Sequence, residues 1–345
     1  MRNLTVLGID LAKDVFQVHG ADANGKEVLS RRLTRAQLTQ FMINTKPCLV
    51  GMEACGGAHH WARLFRGYGH TVKLMAPQFV KPYIKSNKND RNDARGIAEA
   101  VTRPDMKFVP IKNVAQQAVL LLHRVRELAI KRRTAQANQI RGLLSEFGVI
   151  IPKGIRHLHK LPTVLDANKN SIPGAAMHIF TKLHEGFLTY DKEVDEYEAE
   201  IKRDAKNSTI CKNIMEIEGV GPITASAITA TIGDAKAFKN GREVAAWLGL
   251  VPKQRSSGNK IQLLGISKRG DQYVRKLLVH GARAAIKVAA EKKDRRSIWI
   301  TSKKDQRGYN KASVALANKN ARIIWAIMAT GECYRKPSTE QRQAA

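Results

Sequence analysis

Leu4-Thr5-Val6-Leu7-Gly8-Ile9-Asp10 is a short apolar run that ends in a carboxylate, and Leu49-Val50-Gly51-Met52-Glu53 repeats the pattern later in the chain. Residues 4–9, 15–19, 28–33, 49–52 and 72–75 are apolar runs separated by turn residues, which reads as strands. Apolar residues at helical spacing in 37–43 and 60–65 place helices between the last three. Strands interleaved with helices predict an α/β domain. A further helix is expected over 90–101, with Ala94, Ile97, Ala98 and Val101 facing inward, and 102–113, with Pro104 and Pro110, reads as a linker.

If the first and fourth strands are parallel neighbours, Asp10 and Glu53 meet at one sheet edge, where open α/β sheets place their sites. Asp90 and Asp93 are three residues apart and share one helix face. Two carboxylates about 6 Å apart repel by roughly 3 kcal/mol at an effective dielectric near 20, so four would need compensation. Divalent cations supply it, and oxygen-only ligands suit Mg²⁺ or Mn²⁺. Two such ions about 3.5–4 Å apart stabilise the attacking and leaving oxygens at phosphorus. The plainer alternative is that the strand-end acids form turns and Asp90 caps its helix. Cys55, His59, His60 and His70 lack a second Cys/His pair at structural-zinc spacing, which disfavours zinc.

The 345 residues suffice for two or three domains. Fifty-nine Lys and Arg against 30 Asp and Glu give a net charge of +29, an excess that points to a polyanion, with nucleic acid leading. The basic residues are spread along the whole chain rather than on one amphipathic segment, and no run of about 18 apolar residues occurs, which argues against a membrane. No export signal is visible at the start, and the cysteines Cys48, Cys55, Cys211 and Cys333 form no Cys-x-x-Cys pair, so a reducing cytoplasm is expected.

Residues 114–147 read as a long helix with Leu121, Val125, Leu128, Ile140, Leu143 and Phe147 on an apolar seam. After a loop-rich stretch holding Pro152, Pro162 and Pro173, the residues Leu183, Phe187, Tyr190, Val194, Tyr197 and Ile201 follow heptad spacing. The two helices could pair within one chain or between chains. Ile217-Glu218-Gly219-Val220-Gly221-Pro222 resembles a helix-hairpin-helix turn, in which Gly219 and Gly221 would let backbone amides approach a phosphate. Residues 251–283 hold Lys253, Arg255, Lys260, Lys268, Arg269, Arg275, Lys276 and Arg283 against Asp271 alone, a candidate phosphate-facing surface. A last helix is expected over 315–329, stopped by Gly331, with a frayed tail at 334–345.

Taken in order, Asp10, Glu53 and the Asp90/Asp93 pair, the coiled-coil helices, Gly219-Val220-Gly221-Pro222, Gly249-Leu250-Val251-Pro252 ahead of Ser257-Gly258, and Ser267-Lys268-Arg269-Gly270 resemble one kind of insertion-sequence transposase. These enzymes combine an Asp-Glu-Asp-Asp site with a serine, and Glu53-Ala54-Cys55-Gly56-Gly57-Ala58-His59-His60-Trp61 looks like one branch of the family. The resemblance implies an RNase H-like (RuvC-like) domain over 1–112, a coiled-coil and linker region over 113–210, a mainly helical serine transposase domain over 211–333 and a flexible tail. It implies Mg²⁺ or Mn²⁺ on Asp10, Glu53, Asp90 and Asp93, with Ser257 as nucleophile forming a covalent 5′-phosphoserine. Ser256 precedes it and offers a second hydroxyl. It also implies recombination of donor and target DNA guided by a structured noncoding bridge RNA, dimers that assemble to a tetramer with composite sites, and a cytoplasmic, nucleoid-associated location. Two readings stand beside it: a metal-dependent junction nuclease using water, and a nucleic-acid-binding protein without chemistry.

Overall fold

A computed structural model describes residues 3–84, 89–258 and 260–335. The chain divides into two compact units, Met1–Val114 and Ala115–Ala345.

The first unit contains β1 (Val6–Asp10), β2 (Val15–Ala21), β3 (Glu27–Thr34), α1 (Arg35–Ile43), β4 (Leu49–Glu53), α2 (Ala58–Gly67), β5 (Thr71–Met75), α3 (Pro77–Val80), α4 (Asp90–Val101) and β6 (Phe108–Val109). The sheet order is β3-β2-β1-β4-β5-β6. β1, β2 and β3 form an antiparallel meander, whereas β4 runs parallel to β1 and β5 parallel to β4. A capping box turns β3 into α1: Thr34 Oγ1 accepts from the Gln37 amide, and the Gln37 side chain accepts from the Thr34 amide. Leu7, Ile9, Val50 and Met52 point to one face and pack with Leu38, Met42, Trp61 and Phe65 of α1 and α2. The opposite face is covered by α4, whose Ile97, Ala98 and Val101 cluster with Val6 and Met75. The 102–113 segment is more than the expected linker, because Phe108 and Val109 pair with Met75 and Leu74 as an antiparallel edge strand. Two residues are too few to leave a periodic signal.

The second unit contains α5 (Val114–Ser145), which enters from the unit boundary, then α6 (Leu161–Ala167), α7 (Gly174–Asn207), α8 (Thr209–Met215), α9 (Pro222–Ile232), α10 (Gly241–Trp247), β7 (Pro252–Gln254), β8 (Leu263–Ile266), α11 (Gln272–Ala289), α12 (Arg295–Arg307) and α13 (Tyr309–Thr330). α5 and α7 pair antiparallel within the chain: Arg126 bonds Glu198, Arg133 bonds Asp191, and Ile140 and Leu144 cluster with Phe180 and Phe187. The heptad residues of α7 lie on the packed side, with Phe187, Val194 and Ile201 buried. The expected seam of α5 needs correcting. Leu121, Leu128 and Leu143 are exposed, and the buried positions are His123, Ala129, Ala137, Ile140 and Leu144. Polar bonds set the rotation of this helix, since His123 Nδ1 meets the Tyr273 hydroxyl and its Nε2 meets Ser226 Oγ, each at 3.0 Å. Apolar counting cannot see such pairs.

The remaining helices share one core, in which Ile214, Ile228, Leu248, Leu278, Leu316 and Ile324 are fully buried. α13 ends at Gly331, whose left-handed φ of 74° closes the helix. Of the expected frayed tail, Tyr334 is held by its hydroxyl to Arg296, and 336–345 lie outside the described residues. No helix among the described residues is long and apolar enough to cross a membrane.

Candidate active site

Gly8 stands directly opposite Gly51 in the parallel β1–β4 pair. One step beyond the paired Ile9 and Met52, Asp10 and Glu53 end the two strands side by side. Because side chains alternate, Asp10 shares the face of Gly8, and Glu53 that of Gly51. Those glycines are the floor on which α4 lies. A Cβ at Gly8 would sit 2.8 Å from Ala98 Cβ and closer still to the Ala94 carbonyl and Ala98 amide, and one at Gly51 would sit 2.8 Å from Val101 Cβ. Glycine normally weakens a strand interior, and close helix approach is the reason for it here.

This packing aims the acids. Ala94 and Ala98 lie over β1, and Ile97 and Val101 over β4. Side chains four apart share a row, so Asp90 heads the β1 row and Asp93 the β4 row. Val101 clusters with Val6 at the opposite end, so α4 runs against the strands and carries its first turn to their carboxyl ends. Asp90 is not the helix cap. Asn89 is, with its side-chain oxygen accepting from the Asn92 amide at 2.8 Å. Arg91 fixes the same turn to Glu27 of β3 at 2.9 Å.

The four acids thus fall at one sheet edge, but they form an open set. Among the described residues no three acidic, histidine or cysteine side chains make a closed metal-holding group. Two observations nevertheless suit an oxygen-ligated cation. Asp93 Oδ1 is buried and has no hydrogen-bond partner among the described residues, and a buried carboxylate oxygen without a donor is costly unless a cation meets it. Burial raises the Cys55 thiol pKa, and Glu53 and Asp10 raise it further, so both carboxylates bear on one point. The residues weighed for zinc point elsewhere. His70 sits between Cys48 and the Met42 carbonyl, and His59 meets Lys112.

In the second unit, β7 and β8 form an antiparallel hairpin that ends in a turn from Ser257 to Lys260. Its feet are the two glycine motifs: the Ser267 amide donates to the Val251 carbonyl at 2.8 Å, and the Lys268 amide to the Gly249 carbonyl at 3.2 Å. Ser257 and Ser256 are both exposed but differ in bonding. Ser256 Oγ accepts from Gln254 Nε2 at 3.0 Å and from the Gln262 amide at 3.3 Å. The Ser257 hydroxyl has no partner among the described residues.

Lys253, Arg255, Lys260, Lys268 and Arg269 are exposed on this hairpin and its feet. Arg275 is instead a clamp, donating to the Leu248 and Arg269 carbonyls at 2.9 Å each, and Lys276 pairs with Glu127 at 2.8 Å. Gly221 caps α9 with open space around it. Gly219, at φ +82°, packs its backbone against Gly281 of α11, which fits tight packing as well as phosphate approach. Gly8 and Gly51 escaped a sequence reading centred on the acids, although each stands two residues before one of them.

The sequence pattern described as the transposase family of IS116, IS110 and IS902 matches residues 211–296, and a second transposase pattern, of the DEDD kind named for IS110, matches residues 7–149. The chain is 47% identical over 335 residues to a probable family 20 transposase of Pseudomonas aeruginosa, covering 96% of this chain and 99% of the relative. It is 46% identical over 336 residues to the transposase for insertion sequence element IS1111A of Coxiella burnetii, covering 97% and 92%. The transposase for insertion sequence element IS1328 of Yersinia enterocolitica is 40% identical over 336 residues, covering 97% and 100%. A transposase acts on DNA, and the DEDD domain points to a divalent metal. With both units matched and relatives aligned almost end to end, the chain belongs to the IS116/IS110/IS902 family of insertion-sequence transposases.

Proposed function

We propose that this transposase cuts and rejoins donor and target DNA through Ser257, with Mg²⁺ or Mn²⁺ held by Asp10, Glu53, Asp90 and Asp93, and with a structured bridge RNA choosing the sites. The observation that carries the metal assignment is the four-acid edge above the Gly8/Gly51 floor, with Asp93 Oδ1 buried and without a donor among the described residues. The sheet order, an antiparallel meander followed by strands parallel to the first, supports an RNase H-like, RuvC-like domain.

The Ser257 Oγ attacks phosphorus, the Oγ–P bond forms as the P–O3′ bond breaks, and the 3′-oxygen leaves with a proton. The 5′-phosphate stays on the serine. A divalent ion held by Asp10, Glu53, Asp90 and Asp93 would supply charge stabilisation at the phosphate oxygens and would lower the cost of ionising a hydroxyl brought to it. Ser257 suits the role better than Ser256, whose oxygen is tied down by two donors within the hairpin. The exposed Lys253, Arg255 and Lys260 offer phosphate contacts beside it. Because the phosphoserine keeps the phosphodiester energy, a free 3′-hydroxyl can reverse the step on a new strand without an external energy source. RNA pairing would leave the protein to read backbone and shape, as the large positive charge suits. Dimers assembling to a tetramer would bring the strands together.

The test is recombination in vitro with protein, divalent metal, donor and target DNA, and RNA transcribed from the element's flanks. Joined product is expected only with RNA, and not from Asp10→Asn. Joining without RNA would refute guidance, and an active Asp10→Asn would refute the carboxylate site.

A further inference from the structure

A groove of about 1390 Å³ runs along α13 and the β7–β8 hairpin, larger than the roughly 300–1,000 Å³ of a small-molecule pocket. It shares Trp299, Lys319 and Ile323 with a neighbouring cavity of about 370 Å³ reached by Tyr334 and Arg335. Arg242, Lys311, Lys319 and Arg322 line the larger space, and Arg295, Arg296 and Arg335 the smaller. No Asp or Glu lines either among the described residues. These cations come from four separate stretches of sequence, so none stood out in the basic run of 251–283.

Arg335 pairs with Glu332 at 3.4 Å, and the bonding of the others leaves charge uncompensated among the described residues. Arg296 is only 4% exposed, yet it donates to the Tyr334 hydroxyl, the Glu218 carbonyl and Asn320 Oδ1, none of them a carboxylate, and its Nε has no partner among the described residues. Glu218 pairs with Lys292, and Asp294 accepts from the Arg296 and Ser297 amides at the start of α12. Burial lowers the Lys319 pKa, and Arg296, Arg295 and Arg322 lower it further. Its ammonium rests 4.2 Å from the centre of the Trp299 ring. Apolar surface lies alongside: Leu263 and Leu264 of the hairpin are 62% and 45% exposed and line the groove.

A cationic wall beside aromatic and aliphatic faces is how proteins hold nucleic acid whose bases are unpaired. A duplex has its bases already stacked and cannot offer them to Trp299 or the leucines. Asn240, Asn310 and Asn318 also line the groove and could meet a ribose 2′-hydroxyl, so DNA is chosen over RNA on the chain's membership of a DNA transposase family. We propose that this groove binds an unpaired DNA strand, with phosphates on Arg242, Lys311, Lys319 and Arg322 and bases against Trp299, Leu263 and Leu264. The inference rests on the chain's membership of a DNA transposase family and not on Ser257 or the metal.

The experiment uses the full chain carrying Ser257→Ala, so that binding is read without cleavage. The probe is a labelled oligo(dT) of about 12 nucleotides, within the range a single binding groove covers. Lys319→Gln with Arg322→Gln should weaken oligo(dT) binding about tenfold and flatten the log–log salt slope by about 1.4, two phosphates at roughly 0.7 each. Arg242→Gln, at an exposed position, should act in the same direction, which covers the case of a double variant that fails to fold. Trp299→Phe should remove part of the tryptophan quenching that accompanies binding. Unchanged affinity in both arginine variants, unchanged quenching in Trp299→Phe, or tighter binding of oligo(rU) than oligo(dT) would each overturn the proposal.

Discussion

Replacing Gly8 by alanine adds one methyl group under α4. That carbon would lie 2.8 Å from Ala98 Cβ and nearer to two backbone atoms of the helix, where ordinary contact begins at 3.4 Å. Backbone cannot rotate away as a side-chain tip can, so the helix has to move outward by about 1 Å. Overpacking of this kind costs about 1–3 kcal/mol, and contact with backbone argues for the upper part of that range. At about 4–8 °C per kcal/mol for a domain of this size, the first unit should melt about 10 °C lower. The same shift lifts Asp90 and Asp93 away from Asp10 and Glu53, and a misplacement near 1 Å can cost about 10²-fold in rate. Calorimetry and a metal-dependent strand-cleavage assay would read both effects. Gly56→Ala is the control, because nothing lies within 4 Å of its added carbon and its φ is ordinary. If Gly8→Ala melts and cleaves like Gly56→Ala, the glycine floor does not position the acids.

Asp93→Asn should remove metal-dependent cleavage while leaving metal-free thermal stability equal or higher, since the buried Oδ1 has no donor to lose among the described residues; full activity would remove Asp93 from the site. His123 has its pKa lowered to about 4, chiefly by burial and then by Arg126. The folded chain therefore binds fewer protons there than the unfolded chain, whose histidine titrates near 6.5. The stability this contributes is complete above pH 6.5 and is lost as pH falls towards 4, by about 3 kcal/mol in all. Denaturant titrations across that range should show the loss in wild type and a flatter profile in His123→Gln, and parallel profiles would count against it.

Most of the first unit could be read from the chain because its signals are local. Apolar runs gave the strands, the boundaries of α4 fell at Asp90 and Val101, and the two acids at strand ends followed from parallel pairing. The third dimension was less legible. Gly8 and Gly51 matter through what lies above them, which only the packing of α4 reveals. The face of α5 was misread because Arg126, Arg133 and His123 are polar, and their partners Glu198, Asp191, Tyr273 and Ser226 are 58 or more residues away. Arg275 looked like a phosphate contact from its basic neighbours, whereas its donors close the base of the hairpin. The different bonding of Ser256, whose hydroxyl oxygen accepts two hydrogen bonds, rests on contacts across the hairpin, which composition does not contain.

In the proposed mechanism Ser257 becomes covalently attached to DNA. Wild-type protein, Ser257→Ala and Ser256→Ala would each be incubated with divalent metal, flank-derived RNA and DNA labelled at its 3′ end, so that the label stays on the fragment the serine keeps, then run on a denaturing gel. A protein–DNA adduct is expected with wild type and Ser256→Ala and none with Ser257→Ala. An adduct that survives Ser257→Ala, or cut DNA with free ends and no adduct from wild type, would contradict it.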